Sequence, residues 1–535
     1  MLVVTGAGAT TGPDARLANQ GQRAFERGPK RQEFVRFRWR KFGLHNTYVY
    51  RVVFIQCTIE KNTLSPDIQA RCRPRPRSAA SVKSSAFSSR ELLAFFIRLI
   101  PHREFWRLPS LKNKGFYERL FTPLVTLWYL IFQRLQSDHT LDAVVADAQV
   151  GGADSLCKNL SKKLVSTATV SYSNARQRLP LACLTEVLAL QARKLLSLNS
   201  QCRWRGLLVC LLDGSTVRLR PYGDIPQNYP PHGNQSKTPA YWCLMRVVVA
   251  FCACTGAALD CALGATGLSE QALACRIMLH KALEACLFVG DRNFGVFRII
   301  QSARAAEAHV LVRMTDTRAR KLLGRALSPG DHPVCWSPTR HDQLQPDCST
   351  DPVQGRLLVA QVHSNGFRSQ TLYLFTTLPK DADYSLAELV KLYGVRWHIE
   401  LNLRYLKAQM SLVQLECKSA DMAQKEWFAG LMAYNLIRAA MLCAALQRGD
   451  SPLVLSFSSA RRHLQHWLAH LGHGGNCLAH WDEMLRLIGL SRLPKRKKTR
   501  PTEPRAQRHL REPYPPLIGS RQMARQKLEN SVAKS

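Results

Sequence analysis

The chain has 535 residues, 46% of them hydrophobic, enough for two to four packed units and too many for one compact core. Its 75 Lys and Arg against 38 Asp and Glu give a net charge of +37, a surplus suited to neutralising a polyanion, with nucleic acid first and a membrane surface second. The longest apolar runs, such as Leu127–Phe132 and Val247–Cys254, fall far short of the roughly 20 residues that span a bilayer, so no spanning segment is expected.

The start, MLVVTGAGATTGPDAR, lacks the basic and apolar regions of a secretory signal. Residues 1–87 are Arg-rich and without hydrophobic period, and read as a basic, disordered or mis-extended segment; after Met1 the next methionine is Met245. The 17 cysteines are odd in number and scattered, which suits reduced thiols in a cytosolic protein better than a disulfide framework. Cys252 and Cys254 share a strand face but have no His partner at metal-site spacing.

Residues 88–200 turn helical. SSRELLAFFIRLI opens on a Ser cap, ERLFTPLVTLWYLIFQRLQ carries a thick apolar face, and LPLACLTEVLALQARKLL repeats apolar residues at helical spacing. Between the last two lies a polar, basic segment with Ser171, Ser173 and Asn174 ahead of Arg176 and Arg178, so this unit is a candidate DNA-binding domain.

The period then changes. RGLLVCLLDGSTVRLRP, AYWCLMRVVVAFCACTG and AALDCALGATG read as three strands. A Ser-capped helix follows in LSEQALACRIMLHKALE, then a short buried strand in ACLFVG, a helix in FGVFRIIQSARAAEA and a strand in HVLVRM. Three strands, helix, strand, helix, strand is the order of a ribonuclease-H-like α/β fold. Asp213 follows the apolar run LLVCLL and Asp291 follows ACLFVG. A carboxylate at the end of a buried strand is costly unless paired or bound to a cation; the plain alternatives are an Asp-Gly hairpin turn for Asp213 and a helix cap for Asp291.

Downstream, GRLLVAQVHSNGFRSQTLYLFTTLP reads as a hairpin turning at Asn365-Gly366, within a β-rich stretch of about 330–383. LYGVRWHIELNLRYLK places Tyr393, Arg396, Glu400 and Lys407 at helical steps; on one continuous helix the last three fall within roughly 60° of Tyr393. As a mere surface, Glu400 would pair with Arg404 for about 0.3 to 0.5 kcal/mol. His398 lies on the opposite side and takes no catalytic role. Helices follow in DMAQKEWFAGLMAYNLIRAAMLCAAL, FSSARRHLQHWLAHL and HWDEMLRLIGL, and residues 493–535 form a basic, Pro-containing tail read as disordered.

The words LLDGSTVRL, FVGDRNFG and Y-x2-R-x3-E-x6-K, with looser matches in SNARQRLP, YPPHGNQ, TGAALDCALG and AYNLIRAAM, resemble the DDE transposases of bacterial insertion sequences, in the family named for its Y-R-E-K signature, insertion sequence family four. The resemblance implies a ribonuclease-H-like DDE catalytic domain over 201–446 with a β-rich insertion at about 330–383, a helical DNA-binding domain at 88–200 before it, and C-terminal helices at 447–492. It implies that Asp213, Asp291 and Glu400 are catalytic and hold two Mg²⁺, with Mn²⁺ as a substitute, while Tyr393, Arg396 and Lys407 contact DNA. It implies cut-and-paste transposition by in-line phosphoryl transfers, with a hairpin end formed in related enzymes. The partners are then double-stranded DNA, as terminal inverted repeats and target, and a second copy in a homodimer on DNA, with no membrane, in the bacterial cytoplasm at the nucleoid. A metal-dependent nuclease of the same fold and an inactive DNA-end-binding relative are the alternatives.

Overall fold

The computed structural model describes residues 37–42, 52–57 and 92–494, apart from 113–114, 116–119, 137, 200–201, 232–240, 281–284, 325–326, 345–347, 365–366, 382–383 and 471–476, together with 520, 522–523 and 526. The Asn365-Gly366 turn, the second half of YPPHGNQ and nearly all of the basic tail lie outside the described residues. So does most of residues 1–87, within which β1 (Phe37–Phe42) pairs antiparallel with β2 (Val52–Cys57).

Helix α1 (Pro123–Leu135) starts where the Thr122 hydroxyl accepts the Val125 N–H and proline occupies the first turn. Every one of its residues is buried. The polar, basic segment after it folds as α2 (Val170–Arg178), and α3 (Leu181–Ser197) follows.

The chain then enters the sheet with β3 (Arg203–Trp204), β4 (Leu207–Leu219), β5 (Cys243–Cys252) and β6 (Ala258–Ala265). After α4 (Glu270–Leu279) come β7 (Cys286–Gly290), α5 (Phe297–Ala305) and β8 (His309–Arg313). Strands β4, β5 and β6 form an antiparallel meander, β7 runs parallel to β4, and β8 runs parallel to β7. The order β6-β5-β4-β7-β8 puts β4 at the centre, as the ribonuclease-H-like reading expects. Alternate β4 residues face two cores: Val209 and Leu211 join one, Leu208, Cys210 and Leu212 the other, because helices cover both faces.

The β-rich insertion supplies β9 (Gly330–Trp336), β10 (Val353–Ser364) and β11 (Phe367–Thr376). These pair antiparallel, and β11 joins β8, so the insertion lengthens the central sheet. Trp336 packs its ring against Phe297 and Phe375, at 6.2 and 5.0 Å between centroids, as a core aromatic does.

The stretch expected to be one helix is broken. Helix α6 (Leu386–Gly394) ends before a turn at Val395 and Arg396, α7 (Trp397–Arg404) follows, and Tyr405–Gln409 is a π turn. Each break shifts the angular phase, so the single helical face drawn through Tyr393 and Lys407 does not hold. Strand β12 (Gln414–Leu415) then adds to β4 in parallel.

Helix α8 (Ala420–Gln447) has the length and hydropathy of a membrane span, but 94% of its most apolar window is buried inside the protein. Asn435 and Arg438 interrupt its apolar sequence, so it contains no long unbroken apolar run. It packs against α1 and α3 and against α9 (Phe457–His470) and α10 (Cys477–Leu490), so helices before and after the sheet share one core. Both polar interruptions are satisfied, Arg438 by donating to Asn402 and to the Tyr434 hydroxyl. The Asn435 amide donates to the Ala258 carbonyl and accepts the Ala258 N–H, each at 2.8 Å, pairing the start of β6. Glu426 accepts from Arg134 on α1 and Arg176 on α2. Burial opposes its charge, but the two guanidiniums outweigh that and hold its carboxyl below the usual range. Arg176, read as part of a DNA-facing segment, is therefore committed to the interior. The described cysteines are free thiols.

Candidate active site

Two neighbouring parallel strands set the centre of the site. The parallel register of β4 with β7 ends at Leu211 and Val289, two residues before Asp213 and Asp291, and leaves the two carboxylates close enough to interact. Asp213 lies within β4, paired with Val249 of β5, so Asp213-Gly214 is not a hairpin turn. Gly214 serves close packing instead: a Cβ there would sit 2.3 Å from the Glu270 carboxyl carbon. Asp291 stands one residue beyond β7 and its carboxylate accepts the Asn293 N–H at 2.8 Å.

Burial pushes the Asp213 carboxyl up to about 7, and the charges of Asp291 and Glu270 add to that; the Gly214 N–H and Arg396 pull the other way. The neighbouring Asp291 charge thus disfavours the ionised form of the Asp213 carboxyl. A divalent cation relieves such a pair, and carboxylate oxygens are the hard donors Mg²⁺ prefers. In donor chemistry the two aspartates fit.

The third carboxylate is held apart. Glu400 on α7 is half exposed and pairs with Arg396 at 3.1 Å, one turn before it, and not with Arg404. Among the described residues no three His, Cys, Asp or Glu side chains are gathered closely enough to hold a metal ion.

The cations lie over this floor. Arg396 spans it, interacting with Glu400 and Asp213 while its guanidinium packs 6.0 Å from the Tyr393 ring and 5.3 Å from the Trp397 ring. Tyr393 is only 6% exposed and supports Arg396 from below. Burial drives its phenol up to about 12, against the pull of Arg396 and Arg313. Lys407, on the π turn, is half-buried; burial and Arg218 lower its pKa while Asp213 raises it. The structure thus brings Asp213, Asp291, Tyr393, Arg396, Glu400 and Lys407 into one electrostatic neighbourhood. His398 is half-buried, with desolvation driving its pKa down to about 4, and adds no charge there.

Helix α7 is fixed from behind. Asn402 accepts from Arg438 of α8 at 2.6 Å, Arg438 also donates to the Tyr434 hydroxyl at 2.8 Å, and that hydroxyl donates to the Gly256 carbonyl at 2.6 Å. Gly256 has φ +71°, and a Cβ there would sit 2.9 Å from the Arg438 guanidinium.

Sequence reasoning missed Glu270, Asn293 and Arg218. Glu270 was legible only as a first-turn residue behind a Ser cap, and nothing in spacing shows that it reaches back over Gly214.

Residues 204–436 match the family model of the transposase DDE domain. The transposase InsG of insertion sequence element IS4 from Escherichia coli (strain K12) is 24% identical over 293 residues, 54% of this chain and 64% of the relative. The chain thus spans just under two thirds of the length of that curated relative. A piggyBac transposase synaptic complex with hairpin DNA, solved by cryo-EM, is 11% identical with a TM-score of 0.35, over 75% of this chain and 86% of that one.

Proposed function

We propose that this chain, whose residues 204–436 match the family model of the transposase DDE domain, is a transposase of the IS4 type that cuts an insertion sequence at its ends and joins it to target DNA. The observation that carries this is the proximity of Asp213 on β4 and Asp291 just past the end of the neighbouring parallel β7, with Arg396 and Lys407 interacting with Asp213 and Glu400 paired to Arg396.

In this reading Asp213, Asp291 and Glu400 hold two Mg²⁺, or Mn²⁺ in their place. When bound, such a pair supplies activation of the attacking oxygen and stabilisation of the departing 3′ oxygen in an in-line displacement. The protein's own residues do the rest. Arg396 grips a phosphate near the scissile bond with its planar fork and Lys407 acts as a point charge, with Tyr393 beneath Arg396. A phosphate taken by Arg396 competes with Glu400 for the guanidinium, freeing Glu400 to turn toward the aspartates. Arrival of DNA and completion of the carboxylate set are then one event. The partners are terminal repeats and target DNA, with a homodimer on the DNA, in the bacterial cytoplasm at the nucleoid.

The DNA flanking the coding region supplies candidate ends. Incubating the protein and Mg²⁺ with those ends and a target plasmid tests the reading: joined products support it, and cleavage with no joining favours a nuclease of the same fold.

A further inference from the structure

The carboxylate floor carries a clamp that the chemistry above does not use. Glu270 is the first residue of α4, whose start is fixed by the Ser269 hydroxyl accepting the Ala272 N–H at 3.1 Å. Its Oε2 accepts the Asn293 side-chain N–H at 2.7 Å. Gln271 donates through Nε2 to the Asn293 side-chain oxygen at 2.8 Å and to the Asn293 carbonyl at 3.0 Å. With both ends of its amide held, Asn293 turns its backbone N–H onto Asp291 Oδ1 at 2.8 Å. The other side of the Glu270 carboxyl lies against Gly214, next to Asp213, so that a Cβ there would displace the Glu270 side chain. One side chain from α4 therefore touches the segments that carry both aspartates.

We propose that Glu270 and Asn293 are positioning residues: through the Glu270–Asn293 hydrogen bond, helix α4 sets the orientation of the Asp291 carboxylate for a divalent cation. The proposal rests on the reading of Asp291 as a metal-holding carboxylate. Outer partners of this kind typically change metal affinity by roughly 10- to 100-fold when removed.

The test uses the full chain. Mn²⁺ binding is measured by calorimetry, alongside the Mn²⁺ concentration for half-maximal cleavage of a candidate element end, DNA-end binding in chelator, and the melting temperature. Asn293→Ala changes no charge, so an affinity loss of about tenfold or more with unchanged melting and DNA binding reports lost geometry. Glu270→Ala lowers affinity as well, and the two together cost little more than the larger single loss, because they break one bond. The exchange Glu270→Gln with Asn293→Asp keeps net charge and reverses the hydrogen bond, and it restores affinity to near wild type. Should wild type bind Mn²⁺ and cut while Asn293→Ala binds and cuts equally well, or should the exchange fail to rescue a well-folded protein, the clamp is wrong and the transposase reading stands. If wild type neither binds Mn²⁺ nor cuts, both are wrong.

Discussion

Asp213 shows at the residue scale what the site costs the fold. Its ordinary carboxyl value of 3.8 rises to about 7 in the folded chain. Between those values the native state binds the extra proton, so its presence makes stability fall as pH rises from about 4 to about 7, with the penalty complete above that. Asp213→Asn should therefore raise the melting temperature of metal-free protein at pH 8, by roughly 1 to 3 kcal/mol of stability, and change little at pH 4. Thermal melts in chelator at both pH values check this; equal shifts at both would remove Asp213 from a charged floor. The two aspartates were legible in the sequence because an Asp after a buried apolar run is conspicuous, whereas the choice between turn and site was not. The pairing of Asp213 with Val249 inside β4 excludes the turn.

At the scale of elements, the signature stretch is where sequence and structure part most. The helical steps from Tyr393 to Lys407 are real in number, but a turn at Val395–Arg396 and a π turn at Tyr405–Gln409 re-aim the side chains. Spacing encodes neighbours along a continuous helix and is blind to such breaks. What holds α7 is equally non-local: Arg438 of α8 reaches Asn402 from 36 positions away. Arg396→Ala and Lys407→Ala should weaken binding of a DNA end about evenly across end sequences, each lowering the salt slope by about 1, as filter binding or anisotropy over a range of salt would read. A loss confined to one end sequence, with the slope unchanged, would argue against phosphate contacts.

At the scale of the whole molecule, the succession of strands and helices from β4 to β8 and the hairpin of β10 and β11 were legible, since each of these elements has its own period. The shared core was not. Glu426 ties α8 to α1 and α2 through Arg134 and Arg176, and no local pattern joins residues that are 250 or 292 positions apart. Glu426→Ala leaves two guanidiniums without their buried partner and should lower stability by about 3 to 5 kcal/mol, seen in urea unfolding; a loss under about 1 kcal/mol, the range of an exposed pair, would mean the helices before and after the sheet are coupled far less tightly. The central claim is that Asp213, Asp291 and Glu400 act together on DNA. It is tested most directly by Mg²⁺-dependent cleavage and joining of the candidate ends with wild type beside Asp213→Ala, Asp291→Ala and Glu400→Ala, with end binding measured in parallel. The account predicts joined products from wild type, a loss of at least about 1,000-fold in each variant, and end binding kept; products that persist when Asp291 or Glu400 is removed would contradict it.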